Sequence, residues 1–244
     1  MTSPGKNPPD DPKANLLLSI LPEDEYNRLL PDLELVSLAL GRCLSESGGH
    51  MNCVFFPTTA IVSFLHVMDN GSSGEIAVVG NDGIIGLSVF MGGESTLNKA
   101  VVQSAGQAFR LNGAVLRMEF KRSGVLQQLL LRYTMALLAQ MAQTAACNRH
   151  HSVDQQLCRW LLLSLDRLPT NELVMTQELI ANMLGVRREG VTVAAGKLQK
   201  AGLINYSRGH ITILDRPGLE ARVCECYEVV KKEFARLLPD IIDQ

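Results

Sequence analysis

The chain has 244 residues, of which 46% are hydrophobic, and a formal net charge of −2. This length and apolar content are sufficient for one large buried core or two smaller ones. No apolar run is long enough to cross a bilayer, since even residues 125–142 are interrupted by Gln, Arg and Tyr. The six cysteines lack the spacing of a disulfide scaffold, which indicates a reduced, cytoplasmic protein.

The N-terminal segment, residues 1–14, is rich in proline and charge and lacks the apolar core of an export signal. Because such a composition buries little apolar surface, we predict a disordered lead segment.

Residues 15–120 show the sequence pattern of a β domain. Short apolar runs, such as residues 54–67 and 74–80, alternate with breaks such as Asn70-Gly71 and residues 81–83. Several short strands at this spacing are typical of an antiparallel barrel or jelly roll. The sequence therefore predicts an antiparallel β-roll.

Residues 121–150 contain no proline and predict one long helix. Its residues recur at steps of three and four, which gives an apolar stripe long enough to bury a partner helix as well as its own domain. We predict that the dimer interface contains Leu130, Tyr133, Leu137, Met141 and Thr144.

Residues 173–214 predict a winged helix-turn-helix. Thr176 is a good N-cap for a helix that runs to Leu184, and Gly185 can take the positive φ of a tight turn. A second helix then begins with two arginines, and a hairpin follows. The predicted buried faces of this motif contain Leu179, Ile180, Met183 and Leu184 in the first helix, and Val186, Val191, Ala194, Ala195 and Leu198 in the second.

The outward residues of this motif suit a DNA groove. From residue 187 to 210 there are five basic residues and one acid, a local charge of +4 in a chain of −2. Arginine matches guanine or a phosphate, and lysine matches a phosphate. The predicted contacts with double-stranded DNA are Thr176, Arg187, Arg188, Glu189, Thr192, Lys197 and Arg208, with Lys200 as a further phosphate contact.

With a β-roll, a long helix and a winged helix-turn-helix in this order, the chain resembles the Crp/Fnr family of bacterial transcription regulators. The resemblance is most specific in residues 151–168, 176–193 and 211–220. It implies an α+β fold with an N-terminal jelly-roll-like effector-sensing domain, a long dimerisation helix and a DNA-binding domain at residues 151–244. It also implies a homodimer on a palindromic operator and RNA polymerase as a partner.

The chain departs from the cyclic-AMP-binding members of that family. Leu87 follows Gly86 where those members have glutamate, and Asn98-Lys99 stands where they have Arg-Ser. Without the arginine, a cyclic phosphate loses its bidentate partner. These four residues mark the candidate effector region, and we predict an unidentified effector other than cyclic AMP.

Two further departures concern the iron–sulfur branch and the recognition helix. Residues 1–42 contain no cysteine, which is incompatible with an N-terminal iron–sulfur site. Val193 stands where many members have a base-reading arginine, so a different base preference is expected.

The sequence predicts no cofactor and no metal ion. Cys147 and His151 are weak metal candidates, since residues four apart share a helix face, with His150 and Cys158 nearby. Packing at a dimer seam and a hinge is the favoured interpretation. Cys224 and Cys226, placed on a helix, would point about 200° apart and could not share an ion.

Two alternative functions stay open. The first is a regulator of the same architecture that needs no small ligand or responds to redox state or metal. The second is a jelly-roll enzyme fused to a helix-turn-helix. The β region offers only His50 and His66 for such an enzyme, and we predict that the chain is not one.

Overall fold

A computed structural model describes residues 8–93, 95–168 and 170–238. The described part of the chain begins with short helical elements that pack on the β-roll. These are a 3₁₀ helix at Pro12–Ala14, α1 (Leu16–Ser19), α2 (Glu23–Leu29) and a second 3₁₀ helix at Leu30–Asp32.

The expected disorder of residues 1–14 is corrected for the part that the structure describes. Residues 1–7 lie outside the described residues. Residues 12–14 form a helix, and the Thr58 hydroxyl donates to the Pro9 carbonyl over 2.9 Å. This hydrogen bond holds a segment of polar composition on the roll, which its composition alone does not reveal.

Among the described residues, seven strands and the short helix α3 (Ser88–Met91) form the predicted β-roll. The strands are β1 (Glu34–Leu38), β2 (Cys43–Ser45), β3 (Cys53–Pro57), β4 (Ile61–Val67), β5 (Ser73–Val79), β6 (Asn98–Ser104) and β7 (Gly106–Asn112). They form two antiparallel sheets with strand orders β1-β7-β3 and β2-β6-β4-β5. Apolar side chains from both sheets share one core, which confirms the predicted architecture.

Helix α4 (Gly113–Phe120) leads into the long helix α5 (Val125–His150). The long helix therefore begins later than the predicted residue 121. Ser123 has a φ of 59°, a left-handed conformation that interrupts a right-handed helix. The Glu25 carboxylate then accepts hydrogen bonds from the first two backbone N–H groups of α5, each over 2.8 Å.

The predicted dimer stripe faces inward, which corrects the interface assignment. Leu130, Tyr133, Leu137 and Thr144 are buried within their own chain, and Met141 is half-buried. A second stripe is exposed on α5 and contains Leu131, Met135, Leu138, Ala142 and Ala145. Periodicity identifies a stripe, but two stripes compete here and the β-roll covers the first.

The C-terminal domain follows α5 directly. It contains α6 (Val153–Leu165), β8 (Glu172–Val174), α7 (Gln177–Leu184), α8 (Arg188–Lys200), β9 (Ile204–Ser207), β10 (His210–Ile213), α9 (Arg216–Glu220) and α10 (Cys226–Leu237). Strands β8, β10 and β9 form one antiparallel sheet with β10 in the centre. None of the helices in the described ranges is long and apolar enough to cross a bilayer.

Helix α10 returns to the long helix and connects the two domains. The Phe234 ring meets the Tyr133 ring edge-on, with centroids 6.4 Å apart. A second connection is the ion pair between Arg167, after α6, and Asp82 of the roll, with 2.6 Å between Nη2 and Oδ2. The side chain of Arg167 is 5% exposed, so this pair is shielded from water.

A buried chain of polar groups also crosses the domain boundary. Glu75 Oε2 lies 2.5 Å from Ser63 Oγ, which lies 2.7 Å from Gln103 Oε1. Gln103 Nε2 donates to Ser164 Oγ on α6 over 3.0 Å. Strands β4, β5 and β6 are thus joined to the first helix of the C-terminal domain.

Candidate nucleic-acid interface

Helices α7 and α8 form the predicted helix-turn-helix. The Thr176 hydroxyl caps α7 by accepting from the Leu179 N–H over 3.3 Å. Gly185 ends the helix with a φ of 64°, and α8 begins at Arg188 with Arg187 as its N-cap. Leu179 itself is 38% exposed, which corrects its assignment to the buried face.

The N-terminal half of α8 presents polar side chains to solvent. Arg187, Arg188, Glu189 and Thr192 are all exposed, whereas the opposite face of the helix is buried in the domain core. Thr192 Oγ1 lies 2.7 Å from Gln177 Oε1 and connects α8 to the start of α7. The two helices therefore hold the arginine-bearing helix end in one orientation.

The hairpin tip lies beside the start of α7 and α8. Arg208 and Gly209 have φ values of 51° and 82°, as a tight hairpin turn requires. Arg188, Arg208 and Tyr206, with residues at the start of α7, surround an open hollow of about 260 Å³. Two guanidinium groups beside a helix N-terminus suit a phosphate oxygen.

Tyr206 was missed by sequence reasoning. Its hydroxyl donates to the Met175 carbonyl over 2.8 Å, and its backbone N–H donates to Gln199 Oε1 over 2.8 Å. It links the hairpin to α8 and to the residue that precedes the Thr176 cap. An aromatic side chain next to a basic hairpin tip was the signal that could have identified it.

Lys197, a predicted phosphate contact, forms an ion pair within the chain. Its Nζ lies 2.7 Å from Asp154 Oδ2 at the start of α6, so the local excess of positive charge is smaller than predicted. Lys200 is exposed at the end of α8.

A cavity of about 240 Å³ lies between the β-roll and α5. Three residues of the candidate effector region line it: Gly86, Leu87 and Asn98. Lys99, the fourth, is not among the lining residues. Its Nζ forms an ion pair at the surface, 3.1 Å from Glu46 Oε1. The other lining groups are apolar side chains and hydroxyls: Met51, Phe64, Met91, Ala100, Leu137, Leu138, Met141, Ser45, Ser88, Thr96 and Thr134.

The weak metal candidates, Cys147 and His151, meet Cys224 and Cys226 at the end of α5. Cys147 Sγ lies 3.6 Å from Cys224 Sγ, and Cys226 Sγ lies 3.4 Å from His151 Nδ1. Cys224 precedes α10, which begins at Cys226, so the assumption that both lie on one helix is wrong. The loop backbone lets the two thiols converge.

The remaining members of the predicted cysteine and histidine set lie elsewhere. Cys158 belongs to the core of the C-terminal domain, and His150 is exposed. Burial raises the pKa of the Cys147 and Cys224 thiols above the ordinary thiol value, because a thiolate loses solvation there.

Comparisons with known proteins agree on the fold. Residues 155–222 match the Crp-like helix-turn-helix domain family. The chain is similar in structure to FixK2 from Bradyrhizobium japonicum, with 16% identity, a TM-score of 0.68, and coverage of 79% of this chain and 98% of that one. A comparison with curated protein sequences found no match.

Two other solved structures are similar over most of their length. The Crp/Fnr-family transcriptional regulator TTHA1359 from Thermus thermophilus is 21% identical, with a TM-score of 0.62, and the match covers 80% of this chain and 98% of that one. The c-di-GMP-responsive global regulator CLP from Xanthomonas campestris is 14% identical, with a TM-score of 0.62 and coverage of 79% and 99%. The chain therefore carries a Crp-like helix-turn-helix domain within the overall fold of the Crp/Fnr regulators.

Proposed function

We propose that this chain is a sequence-specific DNA-binding transcription regulator that acts as a homodimer. The observation that carries the proposal is the shared surface of α8 and the hairpin tip, where Arg187, Arg188 and Arg208 are exposed together. A helix end of this width enters the major groove, and the adjacent hairpin reaches the phosphates. Arg188 and Glu189 are the base-reading candidates.

The exposed stripe of α5 supports the homodimer. Its members, named above, are spaced by four, three, four and three residues, as in the seam of a two-stranded coiled coil. Leu131, Met135 and Leu138 are 46%, 55% and 51% exposed, an unusual density of bare apolar side chains on one helix face. A two-fold dimer requires a palindromic operator with half-sites about one helical turn apart.

The cavity beside α5 supports a small effector that is neutral and largely apolar. Among the described residues that line it, none is charged, so it offers no partner for a phosphate. The buried Ser88 hydroxyl in its wall has no hydrogen-bond partner in the described part of the chain. A ligand with one polar atom can form a hydrogen bond with Ser88, and its apolar body can pack against the apolar side chains of the cavity.

The position of the cavity suggests how an effector alters DNA binding. Leu138 lines the cavity and also belongs to the exposed stripe of α5. A ligand that contacts Leu138 therefore interacts differently with the possible arrangements of two long helices. Such a difference in affinity is what shifts a population between two dimer states.

Arg188→Ala and Arg208→Ala test the assignment of the DNA-binding surface. Genome-wide binding and footprinting first supply the operator. Arg188→Ala is expected to lower operator affinity by about 1–3 kcal/mol and to reduce discrimination against an unrelated duplex. Arg208→Ala is expected to weaken binding to both duplexes and to lower the salt slope by about one.

Fluorescence anisotropy at several salt concentrations measures both effects. Lys232→Ala on α10 is the matched control, since it removes an exposed cation elsewhere in the same domain. Normal operator binding by Arg188→Ala would show that α8 is not the recognition helix.

Cyclic AMP is expected to give no binding at micromolar concentrations, because the described residues that line the cavity include no cation for its phosphate. Calorimetric titration of the purified protein measures this directly. A low-micromolar dissociation constant would contradict the assignment of a neutral ligand.

A further inference from the structure

We propose that Cys147, His151, Cys224 and Cys226 form a Zn²⁺ site that links the end of the long helix to the segment before α10. Their ligand atoms all lie within 4.8 Å of one another. The three cysteines are 0–3% exposed. The set is one histidine and three thiols, a combination typical of structural zinc sites.

The spacing of the ligand atoms fits a single tetrahedral ion. With Zn–S of about 2.3 Å and Zn–N of about 2.0 Å, a tetrahedron places two sulfurs about 3.8 Å apart and a sulfur and a nitrogen about 3.5 Å apart. The structure has 3.6 Å between the sulfurs of Cys147 and Cys224, and 3.4 Å between Cys226 Sγ and His151 Nδ1. The group is too tight to enclose a cluster of several irons.

The surrounding hydrogen bonds orient the ligands as at a metal. His151 directs Nδ1 to the sulfurs, while its Nε2 lies 3.3 Å from a carboxylate oxygen of Glu225. A carboxylate on the second ring nitrogen is the usual outer partner of a zinc-bound histidine. Gln143 Nε2 donates to Cys226 Sγ over 3.1 Å, which stabilises a thiolate.

The charged groups near the site are also compatible with a bound zinc ion. Three thiolates and one Zn²⁺ carry a net charge of −1. The positive charge of Arg159, a residue that is 5% exposed, acts on Cys147 and favours its thiolate. In the described part of the chain, Arg159 Nη1 donates to Thr144 and its Nε has no partner. A buried cation beside the site is therefore available to balance the excess negative charge.

The position of the four ligands gives the site a structural role. Cys147 lies in the last turn of α5, His151 follows directly after that helix, and Ser152 caps the start of α6. Cys224, just before α10, and Cys226, the first residue of α10, belong to the C-terminal domain. A bound ion thus fixes the angle between the long helix and that domain. This inference does not depend on DNA binding and can be tested without an operator.

The test begins with metal analysis of the full chain, purified without a His tag under reducing conditions and dialysed against excess Zn²⁺. About one zinc per chain is expected for the wild type, and at least about tenfold less for Cys224→Ser. Cys53→Ser, which changes a thiol in the β-roll, is the matched control and is expected to retain its zinc. Co²⁺ in place of Zn²⁺ is expected to give thiolate-to-cobalt charge-transfer absorption in the wild type and in Cys53→Ser.

Glu225→Gln keeps the test informative if the cysteine variants do not fold. Glu225 is 72% exposed, so its substitution leaves the core intact. Loss of this outer partner is expected to lower zinc affinity by about 10- to 100-fold in competition with a chelator. Unchanged affinity, absence of zinc from protein with free thiols, or a Cys147–Cys224 disulfide in the purified protein would each overturn the proposal.

Discussion

Leu138→Glu is expected to convert the protein from a dimer to a monomer and to weaken operator binding by about 10²- to 10⁴-fold. Leu138 lies in the middle of the exposed apolar stripe of α5 and is 51% exposed in the single chain. A carboxylate there leaves the fold of the chain intact but places two like charges opposite each other in a two-fold interface. Loss of the second recognition helix removes the bivalent contribution to affinity.

Sedimentation measures the mass, and anisotropy measures operator affinity on the same samples. Met68→Glu, in the turn between β4 and β5, is the matched control because Met68 is 55% exposed and does not belong to the exposed stripe of α5. Met135→Glu is the second test variant, since Met135 belongs to the stripe but does not line the cavity between the β-roll and α5. A dimer that persists in both stripe variants would place the interface on another surface.

Glu75→Gln is expected to remove a large pH dependence of stability. Ser63 has one hydroxyl proton and two neighbouring acceptor oxygens, those of Gln103 and Glu75. An ionised Glu75 accepts the Ser63 proton and leaves the Gln103 oxygen without one, whereas a protonated Glu75 can donate to Ser63 while Ser63 donates to Gln103. Burial raises the pKa of Glu75 from 4.5 to about 7, although the hydrogen bond with Ser63 and the positive charges of Arg159 and Arg167 act in the opposite direction.

The direction of the effect follows from the raised pKa. The folded state holds a proton that the unfolded chain releases above pH 4.5, so the stabilisation is complete below that pH and is lost as pH rises through about 7. The loss in the free energy of unfolding is at most about 3 kcal/mol. Glutamine donates the same hydrogen bond without a titrating proton, and its variant should lack this slope.

Urea unfolding at fixed protein concentration, followed from pH 5 to about pH 8, measures the difference. Glu178→Gln, at an exposed position on α7, controls for the loss of one carboxyl. Parallel stability profiles for the wild type and Glu75→Gln would show that Glu75 is ionised throughout that range.

Local sequence signals predicted the helix-turn-helix well, because each of its features depends on residues that are close together in the sequence. Thr176 caps its own helix, Gly185 makes its own turn, and Val191 and Leu198 face inward by periodicity alone. The β-roll was also predictable, since strand alternation and turn residues recur along the chain.

Features that depend on distant partners were not predictable. The Asp154 partner of Lys197 and the covering of Leu130 by the roll are set by packing between elements. The convergence of Cys224 and Cys226 on the weak metal candidates Cys147 and His151 was not predicted for a related reason. An assumed helical register separated Cys224 from Cys226, whereas α10 begins only at Cys226.

The packing of α10 has a consequence for the order in which the protein can fold. Tyr133 is made early in synthesis, yet the Phe234 ring that covers it is made only after the whole helix-turn-helix. Contacts between such distant parts of a sequence form slowly, because closing the intervening loop costs conformational entropy. The long helix is therefore synthesised well before all of its surface is covered, and the C-terminal residues complete the core of the β-roll as well as that of their own domain.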